Sequence, residues 1–476
     1  MKPIYMIVCA LFLSPLALAD GLPELGDSSA TVLSPLQEQK IADQIMRQVM
    51  ASDDVVSDAE VNDYVQNLGY RLASHGPDPH QQFNFFVVKD NTINAFAMPG
   101  GVVGVHTGLI IAADTESEVA GVLGHEIGHV VQHHLARMLA QQKIDSVVSM
   151  ATMALALLAA VGNPQLGGGA MMTASANAIQ KQLDYTRDHE READRVGLQI
   201  MTDSGFDPHG MPAFFEVLQK GTRFVQGTAP SFLRTHPLTT ERITDVRGRV
   251  EQMSSFKLVE DSQEFYYVRA KLLADLGTPT QAVDSFRNNL QEKKYTNEAG
   301  QHYGLAIALM RKRDFTGAAK ELDWLKMNAP VHAMIANLAA NIAVAQNKPE
   351  QAEKAFITGL AIFPNHRALI YGYAEHLLAL NQVDNALKLI SDKQSSFPDD
   401  PYFYELISKA YTMQGKVLLR HQAQGEAYVR RYHIPKAIEQ MDLAAKATDG
   451  DFYQHSIVEA RLSQLRQLVD DPKKPK

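Results

Sequence analysis

The sequence predicts a mainly α-helical chain in two parts, an α+β domain with a small sheet followed by an all-α repeat domain. Three observations support this: apolar residues at helical spacing over most of the chain, strand-like runs only between residues 83 and 105, and a period of about 34 residues beyond residue 260. The chain has 476 residues, 45% of them apolar and 21% charged, as is ordinary for globular protein. We assign residues 20–255 to the first domain, 262–465 to the repeats and 466–476 to a tail.

The first residues have the pattern of a signal peptide over 1–19. Lys2 supplies a positive charge, Ile4 to Leu18 is largely apolar, and Ala17-Leu18-Ala19 has the small residues of a cleavage site. Cys9 is the one cysteine of the chain and would be removed with this segment, so disulfides would contribute nothing to the mature protein. We therefore expect secretion into a bacterial periplasm, with a retained membrane anchor as the alternative.

The overall charge excludes one class of partner. The formal net charge is −9, whereas proteins that bind nucleic acid usually present a basic face. We therefore expect no nucleic-acid partner.

Two amphipathic helices and a short sheet are predicted next. Apolar residues recur at helical spacing over Pro35–Gln48 and Ala59–Ala73. Aromatic and β-branched residues then form three strand-like runs bounded by turn residues, Phe83–Val88, Asn94–Met98 and Val102–Val105.

The helix that follows is expected to run from Thr115 to Met138. Thr115 stands three residues before Glu118, the spacing of a capping box at the start of a helix. The helix then passes through an apolar segment into His125-Glu126-Ile127-Gly128-His129.

A second apolar segment covers Val147–Val161. Its fifteen residues fall short of the roughly 20 that a membrane span needs. We interpret it as a buried or site-covering helix, with contact at a membrane surface as the alternative. A glycine loop at 167–169 precedes a further helical pattern over Ser175–Gly197.

The C-terminal half of the sequence contains an internal repeat. Alanines near the start of predicted helices recur at intervals of 36, 34 and 34 residues, and a proline follows three of them by twelve residues. A period near 34 with small residues at the helix contacts and a terminal proline is typical of tetratricopeptide repeats. The alanine is replaced at Arg420, so we expect the last repeats to be irregular; an unrelated helical bundle is the alternative. The residues are Ala282, Ala318, Ala352 and Ala386, then Pro330, Pro364 and Pro398.

Two histidines four residues apart indicate a metal site. Residues at this spacing lie on one face of a helix, so the His125 and His129 imidazoles can bind one zinc ion. Glu126 follows His125 and can act as general base on a water molecule at an open metal position. An apolar helix with small residues indicates burial, where such groups need partners. We predict a zinc metalloendopeptidase with one Zn²⁺ per chain; incidental histidines on a surface helix are the alternative.

A third ligand has to come from elsewhere in the chain. Glu190 and Asp194 are one helical turn apart, so one can bind zinc while the other fixes an imidazole N–H. The spacing does not choose between them, and Asp188 and His189 are nearby alternatives, whereas Glu192 points away. We predict that His133 and His134, just beyond the motif, are not ligands, because the helix carries them a turn past the metal.

Together these residues resemble the peptidase family that includes HtpX and the CAAX prenyl endopeptidases. The resemblance rests on His125-Glu126-x-x-His129, Glu190-x-x-Ala193-Asp194, His236-Pro237 with Arg242, and Asn94-Ala95-Phe96-Ala97 before Pro99-Gly100-Gly101. It implies that Glu190 is the third zinc ligand and Asp194 its supporting neighbour.

The same resemblance places His236 near the metal and implies two roles for it. His236 can stabilise the developing oxyanion, or it can occupy the fourth zinc position and hold the enzyme idle in its resting state, which is our hypothesis. A loop histidine that caps a helix is the alternative. The resemblance implies that Arg242 contacts the substrate or the transition state. An exposed arginine on a helix, without a role in the site, is the alternative.

A signal peptide joined to repeats resembles the periplasmic branch of this family. That resemblance implies proteolysis in the assembly and quality control of outer-membrane β-barrel proteins, with the repeats binding clients or the barrel-assembly complex. A chaperone or scaffold with a latched zinc site is the second hypothesis, and an interfacial membrane protein held by Val147–Val161 is the third. We also expect Asn94–Phe96 to offer a strand edge that binds extended substrate through main-chain hydrogen bonds, unless it is ordinary sheet core.

Overall fold

The computed structural model describes residues 33–52, 54–78, 80–141, 149–152, 187–224, 231–253 and 259–470. The predicted signal peptide at 1–19, most of Val147–Val161 and the last six residues of the predicted tail lie outside these ranges. In the part of the chain that is described, no helix combines the length and the apolar character that crossing a membrane requires.

Local capping explains where the two N-terminal helices begin. α1 (Pro35–Met50) follows Ser34, whose side chain accepts from the Gln37 N–H while the Gln37 side chain accepts from the Ser34 N–H. α2 (Ala59–Ala73) follows Asp58, whose carboxylate accepts two N–H groups of the first turn. Such acceptors satisfy N–H groups that have no partner inside the helix. Both predicted helices are confirmed.

The three predicted strands form one sheet. β1 (Asn84–Val88), β2 (Ala95–Met98) and β3 (Val102–His106) lie in the order β1-β3-β2, with β3 parallel to β1 and antiparallel to β2. The Phe96 ring covers Gly104 on the neighbouring strand, where any side chain would clash. Phe96 is therefore core, while β2 itself has a sheet neighbour on one side only among the described strands.

The motif helix is shorter than predicted. After α3 (Thr107–Ala112), α4 (Glu116–Val131) is capped by Thr115, whose side chain accepts from the Glu118 N–H, and it is buried from end to end except for its last residue. The expected continuation to Met138 is wrong, because His133 adopts a left-handed conformation with φ 52° and a new helix, α5 (His134–Gln141), begins after it. Apolar periodicity does not detect a single left-handed residue, which turns the chain without changing the pattern.

Four more helices of the first domain lie in the described ranges 187–224 and 231–253. The helix predicted over Ser175–Gly197 is described from Arg187 and continues to Asp203. These helices are α6 (Arg187–Asp203), α7 (Gly210–Phe224), α8 (Ser231–Thr235) and α9 (Thr240–Gln252).

Twelve helices follow in six antiparallel pairs in the described range 259–470. The second helices of the first five pairs begin at residues 279, 315, 349, 383 and 417, so the period of about 34 extends one repeat further than the alanine pattern. The helices are α10 (Gln263–Asp275), α11 (Pro279–Glu292), α12 (Glu298–Arg311), α13 (Phe315–Asn328), α14 (Ala333–Ala345), α15 (Pro349–Ile362), α16 (Arg367–Ala379), α17 (Val383–Gln394), α18 (Pro401–Met413), α19 (Val417–Arg430), α20 (Ile434–Ala445) and α21 (Phe452–Asp470).

The repeated alanines and prolines lie where the repeat pattern predicted. The four alanines are at most 5% exposed and lie in the first turn of the second helix of a pair, and the three prolines come just after such helices end. The expected irregularity after Arg420 is wrong for α19: Arg420 stands at the alanine position, half-buried, and its guanidinium contacts His421. A longer side chain is accommodated without a change of period.

The hydrophobic core does not stop at the boundary between the two domains. One contiguous cluster of buried residues extends from Val61 in α2 to Ile342 in α14, and Tyr64 and Phe265 pack across the junction with ring centroids 6.3 Å apart. The first repeats therefore cover an apolar face of the α+β domain, and burial of this face contributes to holding the two together.

Ion pairs accompany this apolar contact. Lys271 Nζ lies 2.6 Å from Glu60 Oε2 and 2.5 Å from Asp58 Oδ2, and Asn337 donates to the other Glu60 oxygen at 2.9 Å. Further along the array, Arg367 binds the Asp63 carboxylate. Since Glu60 is only 2% exposed, it depends on these partners.

Candidate metal centre

Glycines bring α4 and α6 into close contact, and this contact builds the site. A Cβ on Gly124 would lie 2.8 Å from the Gly197 carbonyl oxygen, and one on Gly197 would lie 2.6 Å from the His125 nitrogen. Gly128 meets the Ala193 carbonyl oxygen similarly, at 2.9 Å. Because only glycine leaves this space, acidic side chains of α6 reach the histidines of α4.

Four side chains converge at this crossing. Their ligand atoms all lie within 4.8 Å of one another, and none of the four residues is more than 3% exposed. Two come from α4, one from α6, and one from the loop after α8. They are His125, His129, Glu190 and His236.

The separations of these ligand atoms fit a small tetrahedral cation. His125 Nε2 lies 3.1 Å from His129 Nε2 and 3.3 Å from His236 Nδ1. Glu190 Oε1 lies 3.4 Å from His129 Nε2 and 3.0 Å from His236 Nδ1. Ligands at about 2.0–2.1 Å from a tetrahedral zinc ion are about 3.3 Å apart, so the donor set and its spacing suit that metal.

Glu126 lies beside the cluster without being part of it. The residue is 0% exposed, and neither carboxylate oxygen has a hydrogen-bond partner of normal geometry among the described residues. His236 Nε2 is 3.5 Å from Glu126 Oε1. Burial raises the pKa of Glu126, and the nearby His236 and His125 rings oppose that rise only in part.

Asp194 supports His125 from behind. Its Oδ1 lies 2.9 Å from His125 Nδ1, and Arg242 donates to both Asp194 oxygens at 2.7 Å. Arg242 also lies 2.6 Å from a Glu190 oxygen and donates to the Pro237 carbonyl. At 3% exposure Arg242 is not a surface helix residue, and its donors face these protein groups.

The two histidines beyond the motif differ from each other. Neither belongs to the four-residue cluster found among the described residues. His133 is partly exposed and contacts Glu38 at 3.0 Å. His134 is 1% exposed and lies 2.8 Å from His129, Nδ1 to Nδ1, while its Nε2 faces Glu192 at 3.3 Å.

The charges around the cluster set its protonation. Burial lowers the pKa of His129 to about 3, so its imidazole is neutral at physiological pH. Burial alone would raise the pKa of Glu190, but His236, His129 and Arg242 outweigh it and lower that pKa well below its usual range. Burial likewise lowers the pKa of His236, and the Glu190 and Glu126 carboxylates overcome this and leave it raised.

The structure brings the predicted ligands and their predicted neighbours close together. His125, His129 and Glu190 meet, Asp194 touches His125, and His236 joins the cluster from a loop. Asp188 and His189, the alternatives for the third ligand, lie outside the cluster in the described residues. Sequence reasoning missed the contact of His134 with His129; its one signal was a histidine five residues past the motif.

Comparison with known proteins gives the same picture. Residues 59–250 match the model of peptidase family M48, and residues 343–410 match a tetratricopeptide repeat. The β-barrel assembly-enhancing protease of Escherichia coli K12 is 31% identical over 453 residues, which cover 95% of this chain and 92% of that protein.

Two further relatives show how far the similarity extends. The putative β-barrel assembly-enhancing protease of Vibrio cholerae is 31% identical over 446 residues, 93% of this chain and 92% of that protein. The metalloprotease YcaL of Escherichia coli K12 is 32% identical over 167 residues, 35% of this chain and 62% of that protein. Taken with the convergent histidine and glutamate side chains, these matches show that the chain belongs to peptidase family M48 and is a metallopeptidase that carries tetratricopeptide repeats.

Proposed function

We propose that this chain is a zinc endopeptidase of the periplasm that acts in the assembly and quality control of outer-membrane β-barrel proteins. The observation that carries the enzymatic part is the set of four buried ligand atoms that all lie within 4.8 Å of one another, with the buried carboxylate of Glu126 beside them. Three imidazole nitrogens and one carboxylate oxygen are donors that zinc accepts.

His125, His129 and Glu190 are the proposed metal ligands, with one Zn²⁺ per chain. When bound, the ion supplies a Lewis acid that polarises a peptide carbonyl and makes a water molecule more acidic. Asp194 holds the His125 ring through Nδ1, and Arg242 holds Asp194, so the ring has a fixed orientation.

Glu126 is the proposed general base. It takes a proton from the attacking water and passes it to the leaving amine, and a raised pKa suits a group that must both accept and release that proton. Its position one residue from His125 on a buried helix keeps the carboxylate close to the metal site.

His236 is proposed to be a fourth ligand in the resting state. Its Nδ1 lies 3.3 Å from His125 Nε2 and 3.0 Å from Glu190 Oε1, close enough to bind the same ion and so to fill the position that a water or substrate oxygen would take. The ring is 2% exposed and stacks on Phe232 with centroids 4.7 Å apart, which favours this position. Proteolysis by His236→Ala tests it: a rise supports the latch, and a loss supports a transition-state role.

Substrate is proposed to bind along β2. The strand has one sheet neighbour in the described residues, and the Ala97 main chain lies next to the Glu126 carboxylate. An extended peptide added there would be held by main-chain hydrogen bonds, which tolerate many sequences. Proline scanning of a model substrate near its cleavage site should abolish cutting if this is right.

The client class and the location rest on the relatives. Two proteins similar over more than nine-tenths of this chain are named for enhancing β-barrel assembly, so we propose outer-membrane β-barrel proteins as substrates and the barrel-assembly complex as partner. The repeats would bind clients or that complex. We also propose that the protein makes peripheral contact with the membrane. The periplasm follows from the predicted signal peptide at 1–19.

The test combines metal analysis with cleavage. Purified wild type should contain one zinc per chain and cut casein, whereas Glu126→Gln should keep the zinc and lose activity by about 10²–10⁴-fold, the usual contribution of a general base. Glu216→Gln, an exposed carboxylate on α7, is the control and should match wild type. Absence of zinc from the wild type, or full activity of Glu126→Gln, contradicts the proposal.

A chaperone or scaffold role is the second candidate, and the burial of the site favours it. Every proposed ligand and catalytic residue is at most 3% exposed. In the resting state the repeats would therefore be accessible to a client, whereas the catalytic groups would not. If cells that carry only Glu126→Gln assemble β-barrel proteins normally and clear misassembled ones, binding is the main function.

A further inference from the structure

His134 occupies a place that the backbone turn creates. α4 ends at Val131, and the left-handed conformation of His133 redirects the chain so that α5 starts at His134. Had the helix continued, His133 would lie one turn beyond His129 on the same face. Instead the His134 side chain points toward α4, and its Nδ1 lies 2.8 Å from the Nδ1 of His129.

The hydrogen-bond partners of His134 indicate where each proton lies. Its Nε2 faces Glu192 Oε2 at 3.3 Å, and a carboxylate only accepts, so the Nε2 carries a proton. A neutral imidazole has one N–H, which leaves the His134 Nδ1 as an acceptor. The proton between the two Nδ1 atoms therefore belongs to His129.

This assignment determines which His129 nitrogen is available to a metal. With its Nδ1 protonated, a neutral His129 has its lone pair on Nε2, the atom that lies 3.1 Å from His125 Nε2 and 3.4 Å from Glu190 Oε1. The opposite tautomer would direct an N–H into the cluster and prevent coordination.

We propose that His134 is a positioning residue, which accepts the His129 Nδ1–H and so holds the His129 Nε2 lone pair toward the other ligand atoms. The inference rests on the proposed zinc site and deepens it. The two motif histidines then have different supports, an Asp194 carboxylate held by arginine for His125 and a histidine held by Glu192 for His129.

Ordinary core packing is the competing explanation. The His134 ring stacks on His189 with centroids 4.3 Å apart and an interplanar angle of 21°, a contact that any flat ring could make. Packing does not require that both ring nitrogens have polar partners at hydrogen-bond distance, as they do here. The two explanations differ in whether zinc affinity depends on the acceptor atom of His134 or only on the space that its ring fills.

An isosteric pair of variants separates them. In His134→Asn the side-chain oxygen can take the place of the accepting Nδ1, whereas His134→Leu has the same shape as asparagine and no acceptor. The dissociation constant for Zn²⁺ is measured by competition with a chelating dye, with thermal unfolding as the check on folding. His133→Asn is the control, because it removes the adjacent imidazole and asparagine tolerates the left-handed conformation.

We expect His134→Asn and His133→Asn to bind zinc within about 3-fold of wild type and His134→Leu to bind it about 10–100-fold more weakly, the usual effect of losing a partner that orients a ligand. Equal affinity in Asn and Leu variants, whether unchanged or lowered together, overturns the proposal. If His134→Leu does not fold, the longer pair His134→Gln and His134→Met gives the same comparison. A wild type that binds no zinc would instead contradict the proposed metal site itself.

Discussion

Arg242 holds Asp194 through a two-pronged contact, in which Nε and Nη2 donate to the two carboxylate oxygens at 2.7 Å each. Both residues are at most 3% exposed, and Asp194 in turn contacts His125. The arginine therefore links α9 to the histidine on α4 through one carboxylate of α6, and its loss leaves a buried negative charge beside the site.

Arg242→Met should destabilise the protein by about 3–5 kcal/mol, because an uncompensated buried carboxylate remains. Urea unfolding measures this. Asp194→Asn in the same chain removes that charge, so the double variant should lose less than the sum of the two single losses. Additive losses would show that the pair does not act as a unit.

Gly124→Ala should lower both stability and zinc affinity. The new methyl group would lie 2.8 Å from the Gly197 carbonyl oxygen and force α4 and α6 apart, at about 1–3 kcal/mol. Glu190 would then move away from the two histidines. Gly248→Ala in α9 is the matched control: apart from its chain neighbours and the nearby backbone of its own helix, no atom would lie within 4 Å of the new Cβ, so alanine should stabilise that helix by up to about 1 kcal/mol. A Gly124→Ala protein with unchanged unfolding and zinc binding contradicts the role given to the helix crossing.

Glu264→Gln should change how stability depends on pH. Burial, with the nearby carboxylates of Glu116, Asp63 and Glu60, raises the Glu264 pKa to about 7. The folded state thus holds this proton more tightly than the unfolded chain, so the stabilisation is complete below the unfolded pKa near 4.5 and is lost as pH rises through 7. Thermal melts should show the variant more stable than wild type at pH 8, with the difference shrinking toward pH 5. A constant difference across that range is the contrary result.

The peptidase part should not fold well alone. A chain that ends after residue 255 would expose the face of α2 on which Phe265 packs. A chain that ends after residue 365 keeps the first three repeat pairs, and with them the contiguous cluster of buried residues from Val61 to Ile342. We expect the shorter chain to aggregate or melt without cooperativity and the longer one to give a single sharp transition. A soluble, cooperative product that ends at residue 255 would support independent domains.

The sequence was a good guide wherever the signal was local. Helix and strand runs, the repeat period and the pair His125 and His129 were all readable, because each depends on neighbours within a few turns. The proposed third ligand was harder to predict. Spacing alone could not choose between Glu190 and Asp194, and which of them reaches the cluster depends on how α6 crosses α4 at Gly124 and Gly197.

What escaped prediction depends on single backbone angles and on distant contacts. The left-handed His133 ended a helix that apolar periodicity extended to Met138, and it placed His134 against His129. The Asp194 carboxylate that binds Arg242 is 48 residues away in sequence, so an arginine that looked exposed is buried. Such contacts appear only once the helices are assembled.

The burial of the proposed catalytic groups would affect the rate of cleavage as well as its chemistry. Because Glu126 and the four cluster residues are at most 3% exposed, a polypeptide cannot touch them until part of the surrounding protein moves. The cutting rate is then the rate of the open form multiplied by the fraction of time spent open. If the proposed function is right, a bound chain that folds and departs between two openings would escape and one that stays longer would be cut.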